Sequence, residues 1–295
     1  MPSLVPTVKS KLFIHSKRKS MQLLDGAYAS LLHGRSLDFE DLREYVHGDN
    51  VRDIDWRATA RHGTTLVKRS RATRVHSVLL VVDTGRTMAA LAADDRPKRE
   101  LAILAAGTMG LLAVRHGDSV SVLHGDATAV RRVAPGRSDG ALEHALRTID
   151  KAILGAGAPS DREALLTAVA TTVSRRAIVV IITDEAPLTD ETDRLLRRLR
   201  VQHDVLWITI RDADPVLATR TDATRTDVDS GWGVPDFLHG DRAVLDDVIR
   251  VRAEQDARRD DILDRLEISH ADLRSQTEAP AVLLRMLHRR SDVGA

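Results

Sequence analysis

Val78-Leu79-Leu80-Val81-Val82-Asp83-Thr84-Gly85-Arg86-Thr87 is the stretch that decides the fold. Five apolar residues run without a break into an aspartate. A polar turn with a glycine inside it follows, and then the small apolar run Met88 to Ala93. An unbroken β-branched and Leu run of this length is a strand buried on both faces, as in a parallel sheet covered by helices. In open sheets of that kind ligands sit beyond the carboxyl ends of the strands, so Asp83 is the first candidate site residue. Ala177 to Asp184 repeats the design: an apolar strand, then Thr183, then Asp184. Taken singly, each Asp would cap the helix after its strand. Taken together, paired carboxylates with hydroxyls nearby suit a hard cation such as Mg²⁺.

The chain has 295 residues and a formal net charge of +1, enough for a large α/β domain with a smaller module. It contains no Cys, which excludes disulfides, thiolate metal sites and Cys nucleophiles. Residues 1–20 are basic and broken by Pro and Lys, without the apolar core of a signal peptide. The longest uncharged run, Leu101 to Val114, has 14 residues. That is too short to cross a bilayer and predicts a buried core helix. The expectation is a cytoplasmic protein with no transmembrane segment.

Residues 1–75 differ from the rest. They hold 14 basic against 8 acidic residues, a net +6, and five of the eight aromatics: Phe13, Tyr28, Phe39, Tyr45 and Trp56. This predicts two units, a small basic module over 1–75 with its own aromatic core and a larger domain over 76–295. Aromatic and basic residues interleaved in this way also suit single-stranded nucleic acid. The carboxylates beside Phe39, Tyr45 and Trp56, from Asp38 to Asp55, would repel phosphates, so no nucleic-acid partner is expected.

Across 76–290 strands and helices alternate, which predicts an α/β class with a mainly parallel, doubly wound sheet. Pro97 opens a helix that Gly117 stops. Ser119 to His124 and Thr128 to Val133 read as a hairpin about Gly125-Asp126. Ser160 and Glu163 have the spacing of a capping box, and Asp212 to Gly240 reads as an irregular excursion. The tripeptide His-Gly-Asp recurs at 47–49, 116–118, 124–126 and 239–241. Each copy falls at a predicted turn or helix boundary, where Gly and Asp are favoured for backbone reasons rather than for metal binding.

The most specific signal runs from Gly34 to Arg61. It contains Arg43-Glu44-Tyr45-Val46-His47-Gly48-Asp49 and Arg52-Asp53-Ile54-Asp55-Trp56-Arg57-Ala58-Thr59-Ala60-Arg61. This closely resembles the signature of the domain-of-unknown-function-58 family. The segment reads physically as a turn at Gly48-Asp49 inside a network of Arg43, Arg52, Arg57 and Arg61 with Asp49, Asp53 and Asp55. Trp56 would be its buried packing anchor, or alternatively an interface anchor. The family resemblance implies a von Willebrand factor A-like domain with an N-terminal elaboration. It also implies a binding or adaptor role rather than catalysis, and a protein partner of the MoxR-type AAA+ ATPases.

The resemblance further implies a metal-ion-dependent adhesion site, which would hold Mg²⁺ or Mn²⁺ weakly; no organic cofactor is expected. Matched residue by residue, Asp83, Thr87, Ser160 and Asp184 are its ligands. Gly85 stands where the family has a first Ser, so a water would fill that position, and a serine at 85 is expected to restore a direct oxygen. Val82 to Thr87 also resembles the nucleophile strand of haloacid-dehalogenase-type phosphatases, with Asp83 as nucleophile. That alternative lacks its general acid, because Gly85 stands at the acid's position.

Overall fold

The computed structural model describes residues 3–15, 23–29, 42–46, 49, 51, 54–68, 75–219 and 225–292. Its centre is a six-stranded sheet: β3 (Ser77–Asp83), β4 (Ser119–Gly125), β5 (Val130–Gly136), β6 (Ile178–Asp184), β7 (Asp204–Ile210) and β8 (Ser269–Leu273), in the order β5-β4-β3-β6-β7-β8. All neighbours are parallel except β4 and β5, which form the expected antiparallel hairpin. Counted from β3, this is the order 3-2-1-4-5-6, and it reverses direction between β3 and β6. In open sheets ligands bind at such a reversal, beyond the carboxyl ends of the strands, and the two strands that meet here end in Asp83 and Asp184.

Two apolar layers cover the sheet. Val78, Leu80 and Val82 of β3 pack with α3 (Lys98–Arg115), α4 (Asp139–Leu154) and α8 (Ala279–Asp292). Leu79 and Val81, pointing the other way, pack with α5 (Arg162–Thr172), α6 (Asp190–Gln202) and the C-terminal end of α7 (Arg242–Arg265). The alternation within a continuously apolar strand is what a sheet buried on both faces requires. Among the described residues, no helix is long and apolar enough to cross a membrane.

The N-terminal region departs from expectation. Helix α1 (Leu4–His15) and the helical stretch 23–29 do not form a core of their own. Val5, Val8, Leu12, Leu24, Ala27 and Tyr28 are buried in the layer over α3 and α4. A Cβ at Gly107 would lie 2.7 Å from Val8 Cγ2, so the glycine lets α1 seat closely on α3. Glu143 receives the first N–H groups of α1, from Leu4 at 3.0 Å and Val5 at 2.7 Å. Against the cost of its burial, those bonds hold its carboxyl down at about 2. Tyr28 donates its hydroxyl to buried Asp118 at 2.9 Å. These N-terminal residues therefore belong to the core of the sheet domain rather than to a core of 1–75. Further along the chain lies a two-stranded antiparallel ribbon, β1 (Leu42–Glu44) with β2 (Leu66–Lys68), with α2 (Trp56–His62) between its strands in sequence.

The described part of the signature lies in this ribbon. Arg43 pairs with Val67 across the ribbon, and Tyr45 N–H donates to the Thr65 carbonyl at 2.8 Å. Asp49 receives the Val46 N–H at 2.9 Å, closing the turn. Asp55 caps α2 through the N–H groups of Arg57 and Ala58. Trp56 is a correction: it is 65% exposed, because it occupies the first position of a seven-residue helix that buries none of its residues. Arg61 is exposed in the last turn of that helix. Gly48, Arg52, Asp53, Phe39 and the side chain of Arg43 lie outside the described residues.

These placements predict an asymmetry in stability. Trp56→Ala should cost less than about 0.5 kcal/mol, as for a surface substitution. Leu12→Ala should cost about 2–5 kcal/mol, as for a core leucine. Urea unfolding of both variants checks this, and a large loss with Trp56→Ala would return the tryptophan to a core.

Candidate functional site

The site sits where β3 and β6 end. Register Val82↔Ile182 brings Asp83 level with Thr183, with Asp184 one residue beyond. Asp83 is buried. Its Oδ1 accepts the Gly85 N–H at 2.8 Å and the Ser160 hydroxyl at 2.9 Å. Ser160 Oγ lies 2.6 Å from Thr87 Oγ1. Asp83 Oδ2 and Thr183 Oγ1 are buried and have no hydrogen-bond partner. Asp184 Oδ1 accepts the Ala186 N–H at 3.2 Å. The fold thus links Asp83, Thr87 and Ser160 directly, and Asp184 lies near enough for its charge to act on Asp83.

Ser160 reaches this position because it is not a helix cap. Asp161 caps α5, accepting the Ala164 N–H at 2.8 Å. Glu163, the other half of the expected capping box, instead accepts the hydroxyls of Thr189 at 2.6 Å and Thr192 at 2.8 Å. Gly85 explains the rest of the arrangement. Its φ of −73° is open to any residue, so the backbone does not demand glycine there; space does. A Cβ at 85 would lie 2.4 Å from Ser160 Cα and 2.5 Å from Ser160 Oγ. The space that a side chain at 85 would occupy is filled by Ser160.

Two arginines hold the loops around the site. Arg162 donates to the carbonyls of Ala186 at 3.0 Å and Pro187 at 2.8 Å, tying the start of α5 to the loop after Asp184. Its guanidinium also stands 5.8 Å over the buried ring of Trp207. Arg86 donates to the carbonyls of Gly157 at 3.1 Å, Val228 at 3.4 Å and Asp229 at 3.3 Å. The last two belong to a short hairpin within the 212–240 excursion, bridged by Thr226↔Gly233.

A second ring of charge surrounds these residues, and the sequence had not singled it out. Fully buried Lys98 pairs with Asp212. Burial raises the Asp212 carboxyl, Lys98 opposes the shift and Asp184 adds to it. Glu185 pairs with Arg211 at 2.9 Å and Arg252 at 3.1 Å. A signal for Lys98 was available: a lysine opening a helix opposes the helix dipole and needs an acid nearby. Glu185 directly follows β6, and Asp212 lies two residues past the end of β7, where Asp83 had already marked strand ends as informative.

Side chains here that could hold a metal are the carboxylates of Asp83 and Asp184 and the hydroxyls of Thr87 and Ser160, the hard oxygen set that Mg²⁺ or Mn²⁺ takes, while the charge of the Arg162 guanidinium already acts on both carboxylates. The unpartnered, buried Oδ2 of Asp83 has an acceptor position left for a cation. Among the described residues no group of three or more His, Asp or Glu gathers to hold a metal. A cation here would therefore have two carboxylates, two hydroxyls and water. Of the His-Gly-Asp copies, those at 116–118 and 239–241 sit at turns, where Gly117 and Gly240 are left-handed; Asp241 caps α7, while Asp118 accepts the Tyr28 hydroxyl.

Burial first, and the charge of Asp184 second, push the Asp83 carboxyl up to about 6. The folded protein therefore holds this proton more tightly than the unfolded chain does. In metal-free buffer, its contribution to stability is complete below pH about 4 and is lost as the pH rises through about 6, a change on the order of 3 kcal/mol. Asp83→Asn should flatten that part of the stability–pH curve, measured by denaturant unfolding in chelator. Gly85→Ser should destabilise by about 1–3 kcal/mol, as overpacking does, rather than complete the ligand set. A Gly85→Ser protein as stable as wild type would show that the Ser160 loop can retreat.

The family model described as "Protein of unknown function DUF58" matches residues 41–235. The chain is 32% identical over 241 residues to the uncharacterized protein Rv1480 of Mycobacterium tuberculosis, covering 80% of this chain and 74% of that one. The uncharacterized protein Mb1516 of Mycobacterium bovis matches with the same figures. Among solved structures it is similar to an aerotolerance-related membrane protein from Bacteroides fragilis, at 15% identity and TM-score 0.45 over 72% of this chain and 99% of that one. It is also similar to a von Willebrand factor type A protein from Catenulispora acidiphila, at 12% identity and TM-score 0.40 over 74% of this chain and 43% of that one. With the signature, the strand order and the Asp83 strand all inside or beside the matched span, the chain belongs to the DUF58 family.

Proposed function

We propose that this protein is a non-catalytic adaptor that captures a protein partner at the crest of its sheet through a cation held by Asp83, Thr87, Ser160 and Asp184. The observation that carries the reading is the bare, buried Oδ2 of Asp83 beside two hydroxyls at the switch point. A buried carboxylate oxygen without a donor is costly, and a cation removes that cost while leaving coordination positions open for a partner's oxygen. The cation would supply a fixed positive charge and those open positions. Asp83 and Asp184 would neutralise it, and Ser160 and Thr87 would orient it. The partner proposed is a MoxR-type AAA+ ATPase, which the family resemblance suggests.

Support for the phosphatase alternative is weaker at one specific point. The position of its general acid is Gly85, whose N–H donates to Asp83 and whose space is filled by Ser160, so a leaving group would have no proton donor there.

Thermal unfolding across a Mg²⁺ and Mn²⁺ titration tests the cation. Wild type should gain stability with metal by mass action, and Asp83→Ala should gain none. Equal shifts, or no shift in either, would sink the cation reading. A pull-down of the purified chain with a MoxR-type ATPase, with and without ATP and Mg²⁺, tests the partner. An acyl-phosphate trapped on Asp83 would establish the enzyme instead.

A further inference from the structure

Thr183 is a buried group that the ligand set above leaves out. It is 1% exposed, as is Asp83, and its Oγ1 has no hydrogen-bond partner among the described residues. Other hydroxyls at this end of the sheet are engaged. Thr84 donates to the Gly125 carbonyl at 3.1 Å, Thr87 and Ser160 lie 2.6 Å apart, and Thr209 accepts the Trp207 indole N–H at 3.0 Å. A buried hydroxyl without a partner is costly, and native folds contain few of them.

The pleat of the sheet decides what Thr183 faces. Along β3, Leu79 and Val81 belong to the layer under α5 and α6, and along β6 so do Val179 and Ile181. Side chains alternate along a strand, so Asp83 and Thr183, two residues further on, lie on that same side. They follow the register pair Val82↔Ile182 and are level with each other, on strands about 4.8 Å apart. Asp184 comes one residue later and alternates to the other side. Its charge acts there on Asp212, the partner of Lys98 of α3. The β6 side chain beside Asp83 is therefore Thr183, and Ser160 approaches Asp83 from the start of α5, on the same face.

Asp83 Oδ2 and Thr183 Oγ1 are thus on adjacent side chains, both buried, both without a partner and not bonded to each other. Two oxygens that share one Mg²⁺, each about 2.1 Å from it, stand roughly 3–4 Å apart, a separation that fits side chains on neighbouring strands. We infer that Thr183 Oγ1 is a direct ligand of the cation, beside Asp83 Oδ2, while Asp184 contributes its charge from the opposite side of β6. This rests on the cation reading of the site and adds a donor from inside a strand to those from the loops. The Arg162 charge acts against a cation here, so binding is weak and each oxygen that the fold offers counts.

The test is thermal unfolding of wild type, Thr183→Val, Thr183→Ser and Asp83→Ala, first in chelator and then across a Mg²⁺ titration, with Mn²⁺ binding followed by electron paramagnetic resonance. Valine keeps the shape of threonine and removes only the unpartnered hydroxyl, so Thr183→Val should be folded in chelator and unfold close to wild type. With metal it should need at least ~10-fold more Mg²⁺ for the same rise in melting temperature, and bind Mn²⁺ more weakly by the same factor. Thr183→Ser keeps the oxygen and should respond as wild type does. A Thr183→Val protein with the wild-type metal response, where Asp83→Ala has none, overturns the inference and leaves the cation reading standing. A Thr183→Ser protein that responds like Thr183→Val also overturns it, because the methyl group and not the oxygen would then matter. A wild type with no metal response removes the cation and this ligand together.

Discussion

The carboxylate of Asp83 is the constraint around which the crest of this protein is arranged. A buried carboxylate is tolerated only with donors, a proton or a counter-charge. One oxygen has its donors in Gly85 N–H and Ser160 Oγ; the other has none. The surrounding geometry follows from supplying the first oxygen. Residue 85 has to be without a side chain so that the 160 loop can approach. That loop has to be held, and the Arg86 N–H donates to the Ala158 carbonyl at 2.8 Å while the Arg86 guanidinium holds Gly157. The helix behind it has to be capped by another residue, and Asp161 does so. The second oxygen is left for a proton or a cation, and this joins the acid–base behaviour of the fold to its proposed binding function.

Charge rather than apolar packing secures much of the outer crest. Helix α7 is 24 residues long, yet its buried residues are Arg259, Ile262 and Leu263, all near its C-terminal end. Further toward its N-terminus it is tied down by Arg252 to Glu185 and by Asp256 to Arg211. Arg259 reaches Asp272 of β8 at 2.9 Å. Buried ion pairs of this kind add little net stability but are costly to break singly, so they fix position more than they strengthen the fold. The residue after Asp184 is part of this ladder, as is the residue after β7. The height of the second site carboxylate is thereby set by a helix remote from it in sequence.

The N-terminal helices show the same dependence on remote partners. Leu12, Val8 and Val5 complete a layer that α3 and α4 leave open, and Glu143 supplies the donors' acceptor at the start of α1. Without a view of that open layer, these apolar residues count as the core of a separate basic module. Aromatic content misled in the same direction. Tyr28 does belong to a core, that of the sheet domain, while Trp56 belongs to none.

What the sequence by itself determined were the features that depend on a residue's own neighbours. The apolar runs of β3 and β6 determined a sheet buried on both faces. The Gly and Pro boundaries determined α3 and the β4–β5 hairpin, and Asp83 and Asp184 were marked because they end those runs. The signature determined the family. Only the tertiary structure decided how close the 160 loop comes to residue 85, which polar residue caps α5, which layer receives α1, and whether Trp56 is covered. The physical reason is common to all four. Each depends on the distance between segments far apart in the chain, and periodicity, capping preference and composition carry no information about that distance until the sheet has brought the segments together.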